Sequence, residues 1–216
     1  MPSSPTSAPS SGPLARVPLH EQVRRFVLEG LVAGRWGPGD RVVERRVAQE
    51  LGVSQAPVRE ALRELETMGL VTYAPNKGVR VQELTLGQLR DVYLVRASLE
   101  RRAVMLAAPR LAGNVTGLER HLRAMRHAAT EGKTDEQALH GVAFHRAIVH
   151  ACGNPVLIRH WDWLGVEAWT RLSLGWLRTD LHDNAEDHEE LVEGLRRGDP
   201  HLGRLMERHV MDYARK

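Results

Sequence analysis

The sequence predicts a mainly α-helical chain in two parts: a short-period N-terminal segment with a small β-hairpin, then an all-α antiparallel helical bundle. Three observations carry that division. Residues 1–13, MPSSPTSAPSSGP, hold five Ser and four Pro and no large apolar side chain beyond Met1. Such a stretch buries too little surface to offset its ordering entropy, so a disordered tail is expected over residues 1–16. From about Leu19 to Val81 the apolar positions come in short bursts between Gly and Pro, and after Glu83 they run in long stretches at helical spacing. The expected units are therefore 1–16, 17–82 and 83–216.

Composition narrows the classes. The 216 residues include 30 Lys+Arg, 27 Asp+Glu, 11 His and one Cys, for a formal net charge of +3. A single cysteine, Cys152, excludes a disulfide scaffold and any zinc fold that needs two thiolates. No apolar run reaches the roughly eighteen residues of a membrane span, and the N-terminus lacks the pattern of a signal peptide. A cytoplasmic protein with no membrane partner is the expectation. A charge excess this small neither demands nor forbids nucleic acid, so the placement of the charges has to decide.

In order along the chain, Leu19–Ala33 reads as a helix with Val23, Phe26, Val27, Gly30 and Leu31 on one stripe, ended by Gly34 and the Gly37-Pro38-Gly39 cluster. Glu44–Leu51 forms a second helix closed by Gly52. Ser54 is a suitable N-cap for a third, which runs to about Met68 and stops at Gly69. Leu70–Tyr73 and Val79–Val81, joined by Ala-Pro-Asn-Lys-Gly, read as a hairpin. Two short helices around Gly52-Val53-Ser54 have the spacing of a helix-turn-helix, and the hairpin supplies a wing. Packing through Val47, Ala48, Leu51, Val53, Val58, Leu62 and Leu65 leaves Gln55, Ala56 and Arg59 on the leading face of the third helix, where a recognition helix meets the major groove. Arg45 and Arg46 are placed to reach phosphate or a guanine edge, and Lys77 and Arg80 flank the wing.

The run PGDRVVERRVAQELGVSQAPVREALRELETMGLV closely resembles the winged-helix domain of GntR-family transcription regulators, from about Leu19 to Val81. The resemblance implies DNA contacts by Arg45, Ser54, Gln55, Ala56, Arg59 and the wing residues Lys77 and Gly78. Many members carry Arg-Thr where this chain has Gln55-Ala56. Gln favours adenine and Arg guanine, so the operator should differ accordingly.

Six helices are expected in the second part: roughly 85–108, 115–131, 135–152, 154–178, 185–197 and 200–214. Thr85 should cap the first, Thr134-Asp135-Glu136-Gln137 has the form of a capping box, and Pro200 suits position N1 of the last. Four tryptophans (161, 163, 169 and 176) crowd one helix, which suits packed core or a dimer interface. Ten of the eleven histidines lie in this part, and three share faces with apolar residues: His145 with Val142, Val149 and Cys152; His188 with Leu191 and Leu195; His209 with Leu202, Leu205 and Met206. An inward imidazole needs a partner. Spacing alone leaves two readings, three unrelated core histidines or one metal site, since neutral imidazole is the commonest metal ligand.

The segments Val92–Glu100, Phe144-His145-Arg146 with Gly153-Asn154-Pro155, and His188 to His209 resemble the FCD effector domain of the FadR-type branch, in its shorter six-helix, VanR-like form. Many such domains hold a divalent metal through one Asp and three His, and the resemblance assigns His145, His188 and His209 to the histidine positions. Gly141 stands where the Asp belongs, so zinc with water or a ligand carboxylate in the open position is the expected cofactor. The resemblance also places Arg96 in the effector cavity as a carboxylate clamp, against pairing with a nearby acid, and gives Asn154 a role in orienting ligand, against a plain helix break. The expected function is a ligand-responsive regulator, a repressor acting as a homodimer on a pseudo-palindromic operator, with a small organic acid as effector. Two alternatives stand beside it, a constitutive DNA-binding dimer with a degenerate effector site and a three-histidine metal hydrolase. No His-Glu-x-x-His motif supports the hydrolase.

Overall fold

A computed structural model describes residues 17–74, 78–83, 85–176 and 180–213. The first part holds α1 (Leu19–Val32), β1 (Arg41–Val42), α2 (Glu44–Leu51), α3 (Gln55–Thr67), β2 (Val71–Ala74) and β3 (Gly78–Val81). β3 is the central strand of an antiparallel sheet in the order β1-β3-β2, with Val42 opposite Val79 and Tyr73 also opposite Val79 from the other side. The hairpin was legible in the alternation of Leu70–Tyr73 and Val79–Val81. β1 was not, because two residues are too short to alternate. Gly52 closes α2 in the left-handed region at φ 65, a conformation that favours glycine, and this turn sets α3 against α2. Ser54 takes the N-cap position of α3, but its side chain makes no capping hydrogen bond.

The second part holds α4 (Leu86–Leu111), α5 (Thr116–Thr130), α6 (Thr134–Ala151), α7 (Pro155–Trp163), α8 (Val166–Trp176), α9 (Leu181–Glu186), α10 (Glu189–Arg197) and α11 (Leu202–Asp212). Thr85 caps α4 as the sequence predicts: its hydroxyl accepts from the Gln88 amide at 3.2 Å, and Gln88 Oε1 accepts from the Thr85 amide at 2.9 Å. Four expectations need correction. The helix expected over 154–178 is broken at Gly165, whose φ is 67, into α7 and α8. The helix expected over 185–197 is likewise two, with Asp180 capping α9 through the amides of His182 and Asp183. Lys133, rather than Thr134, is the N-cap of α6, and Gln137 turns inward instead of closing a capping box. Pro200 lies ahead of α11, whose N-cap is His201. The tail over 1–16 lies outside the described residues.

α4 runs through the middle of the bundle against α6, α8 and α11, and carries Tyr93, Arg96 and Glu100 inward. The buried apolar residues of both parts form one continuous cluster, from Val23 on α1 to Tyr213 after α11. At the junction, Trp169 Nε1 on α8 donates to the carbonyl of Met68, the C-cap residue of α3, at 3.2 Å. A Cβ at Gly165 would stand 2.6 Å from Met68 Cγ, so the bare backbone there is what lets the end of α3 approach.

Candidate functional sites: a helix-turn-helix face and a buried histidine cluster

On the first part, Arg45, Ser54, Gln55, Ala56 and Arg59 are all exposed, as a helix face meeting a groove requires, while Val58, Ala61, Leu62 and Leu65 bury the opposite face of α3. Arg59 Nε lies 3.2 Å from Glu44 Oε2 on α2. Gly78 opens β3 at φ 76, and a Cβ there would meet the Arg41 guanidinium at 3.1 Å. Arg80, expected to flank the wing, donates from Nη1 to the Gly39 carbonyl at 2.7 Å and ties β3 to the loop before β1. Lys77 lies outside the described residues.

In the second part, the structure brings His145 (α6), His188 (the N-cap of α10) and His209 (α11) together, all buried. One ring nitrogen from each lies within 4.8 Å of the others, and the His145 and His209 Nε2 atoms are 3.2 Å apart. Each ring also has a polar group on its outer side. His188 Nδ1 pairs with the Asn184 carbonyl at 2.8 Å, which turns its Nε2 inward. His145 Nδ1 lies 2.6 Å from Glu100 Oε2, and the backbone of Asp187 lies beside the His209 ring. An ionised carboxylate only accepts, so a neutral His145 keeps its proton on Nδ1 and presents the Nε2 lone pair to the centre.

Burial depresses all three imidazoles: His188 to about 3, His209 well below its ordinary value, and His145 downward despite the opposing pull of Glu100. Neutral rings are the ligating form. Burial pushes Glu100 upward, but Arg96 and His145 outweigh it and hold the carboxyl at about 2. This set fits a small divalent ion. A tetrahedral zinc with bonds of about 2.0–2.1 Å places its donors roughly 3.3–3.4 Å apart, close to the 3.2 Å between His145 and His209. A carbonyl or carboxylate behind each ring is the usual outer support of metal-binding imidazoles.

Known proteins give the site its context. Residues 19–81 match the family described as bacterial regulatory proteins, gntR family, and residues 91–212 match the FCD domain. A curated relative from Paenarthrobacter nicotinovorans, "Probable D-xylose utilization operon transcriptional repressor", is 35% identical over 93% of this chain and 89% of its own. The chain belongs to the GntR family of transcription regulators.

The HTH-type transcriptional regulator McbR of Escherichia coli K12 is 30% identical over 77% of this chain and 74% of that one. A solved structure of E. coli McbR/YncC superposes with a TM-score of 0.73 at 25% identity, covering 93% of this chain and 95% of that one. Both matched regions belong to transcription regulators rather than enzymes. Within this GntR regulator, the expected effector residues part company. Arg96 does line the small cavity beside His145 and His188, together with Tyr93, Gln137 and Gly141. Its guanidinium is engaged, Nε with Glu100 Oε1 at 2.7 Å and Nη1 with Thr170 Oγ1 at 3.2 Å, so the acid pairing is present in the cavity wall. Asn154 is exposed and caps α7 by accepting from the Val156 and Leu157 amides; it does not line the cavity. Glu100 was missed as a site residue. The signal available was its i,i+4 spacing from Arg96 on a face shared with Tyr93 and Ala97.

Proposed function

We propose that this GntR regulator binds operator DNA as a homodimer through Arg45, Ser54, Gln55, Ala56 and Arg59, with Lys77 and Gly78 on the wing. In this reading His145, His188 and His209 hold a divalent ion, for which zinc is the best match. The convergence of three neutral, outward-supported imidazoles carries the metal reading, because burying three unrelated histidines with their ring nitrogens facing one another has no packing advantage. When bound, the ion supplies a positive centre with at least one position open to a small oxygen ligand. Gly141 adds no carboxylate, and a Cβ there would meet only Met125 Sδ at 3.5 Å, so the space on that side stays open.

The cavity beside the histidines leaves about 20 Å³ open to water, room for roughly one water molecule. A small organic acid would therefore enter only as the surrounding side chains draw back, and that widening is the step by which effector binding would bias the DNA-binding domains. The Paenarthrobacter relative is named for a sugar-utilisation operon, and a catabolic operon is the target class we propose here. Gly141 and the narrow cavity also favour a second reading, a constitutive repressor in which the cluster is structural.

Metal analysis of chelator-free protein separates the two. Close to one zinc per chain in the unaltered protein, and none in His145→Ala, supports the ligand-responsive reading; no metal in either favours the constitutive one. Footprinting around the protein's own gene, with the two-fold half-site spacing of about one helical turn, tests the dimer.

A further inference from the structure

Glu100 is fully buried and serves three partners on three different elements. Its Oε1 accepts from Arg96 Nε on its own helix at 2.7 Å and from Trp161 Nε1 on α7 at 2.7 Å. Its Oε2 lies 2.6 Å from His145 Nδ1, yet neither atom has a hydrogen bond of full geometry among the described residues. A buried charged acceptor left misaligned gains from any rotation that straightens the contact.

The short helix α7 connects this carboxylate to the DNA-binding part. Trp161 sits near its C-terminal end, four residues before Gly165, the bare position against which Met68 packs. Trp169, four residues beyond, donates to the Met68 carbonyl. Met68 is the C-cap of α3, the helix whose other end bears Gln55 and Arg59. Between the two parts at this point lies a cleft of about 330 Å³, lined by Arg24, Leu65, Met68, Arg146, Trp161 and Gly165, which gives the junction room to shift.

We propose that Glu100 is a positioning residue that converts occupancy of the histidine cluster into movement of α7 and of the Met68 end of α3. His145, turned to present Nε2 to a ligand, aligns Nδ1 with Glu100 Oε2; the carboxylate turns with it, and the indole N–H of Trp161 follows Oε1. The inference rests on the metal-site reading and adds to it the route by which the site is felt at the recognition helix.

Hydrogen–deuterium exchange on the full chain tests it, with Zn²⁺ as the probe, comparing unaltered protein with Trp161→Phe and Glu100→Gln. Trp161→Phe removes the indole donor and keeps most of the aromatic packing, and circular dichroism verifies its fold. In the unaltered protein, zinc should slow exchange around residues 141–149, and by about fivefold or more around residues 155–170 and 64–70. Trp161→Phe should bind zinc with nearly unchanged affinity and keep the protection at 141–149 while losing it at 64–70. Glu100→Gln should lose both the remote effect and about tenfold or more in zinc affinity, the usual loss when an outer partner is removed. Persistence of the remote protection in Trp161→Phe, or zinc binding to unaltered protein with no change at 64–70, overturns the relay while leaving the metal site standing. No zinc binding by unaltered protein overturns the metal reading and the relay with it.

Discussion

Replacing His188 with Gln should flatten the acid limb of the stability curve of metal-free protein. His188 is buried at the N-terminus of α10, and burial holds its imidazole at about 3, against about 6.5 in an unfolded chain. The unfolded chain therefore takes up this proton first on acidification. The neutral ring's contribution is complete above about pH 6.5 and is lost as the pH falls toward 3. At pH 5 the unfolded imidazole lies about 1.5 units below its pKa while the folded one is still neutral. At about 1.4 kcal/mol per unit, His188 alone then lowers stability by about 2 kcal/mol relative to pH 7.5. The assay is urea unfolding in chelator at pH 7.5 and pH 5. His188→Gln loses stability at both pH values through its broken contacts, but its drop between them should be smaller than the parent's by about 2 kcal/mol. Equal drops would show that His188 is protonated or solvated in the folded state, and the account of a neutral, ligand-ready cluster would fail.

Three further outcomes are expected. Arg45→Ala, at an exposed position on α2, should weaken DNA binding across unrelated sequences and reduce the slope of log affinity against log salt by about 1; an unchanged slope would remove Arg45 from the interface. Gly141→Ala should raise stability by about 0.5–1 kcal/mol, because the position is helical and its new methyl meets only Met125 Sδ at 3.5 Å; a lower melting temperature would mean that the space is needed. Gly165→Ala should destabilise by about 1–2 kcal/mol from its positive φ alone and by more from the Met68 contact, read as a lower urea midpoint at unchanged m-value.

The sequence made the helix-turn-helix legible because its signals are local: Gly52 ends one helix, Ser54 precedes the next, and the apolar positions of both point to a shared core. The three histidines were legible for a similar reason, since each shares a helical stripe with apolar neighbours. Their convergence was not, because the spacing of His145, His188 and His209 says nothing about how α6, α10 and α11 pack. Glu100 escaped altogether, and Trp161, legible as a core candidate, gave no sign of its partner. They are 61 residues apart, and what joins them is a hydrogen bond inside the bundle. The break at Gly165 was hidden because the flanking residues keep helical periodicity on both sides, and only packing against Met68 gives the interruption its purpose. The resemblance to relatives also gave no sign that Arg96, in the cavity lining, pairs with Glu100, or that Asn154 caps α7.

On the proposed DNA contact by Arg59, its ion pair with Glu44 bears on how DNA would be discriminated. In the free protein, Arg59 on α3 rests on an internal anion, with half of its side chain still exposed. Its charge is therefore partly masked at a distance and adds little to indiscriminate attraction toward phosphate. Any duplex that recruits Arg59 must outbid a carboxylate and leave Glu44 facing a polyanion. For an exposed pair that threshold is up to about 1 kcal/mol, roughly fivefold in affinity. A groove edge with two acceptors in the right geometry clears it, because guanidinium reading of such an edge is worth about 1–3 kcal/mol. On that proposal Glu44 is a resident competitor for Arg59, and wrong sequences would meet a helix whose reader is already occupied.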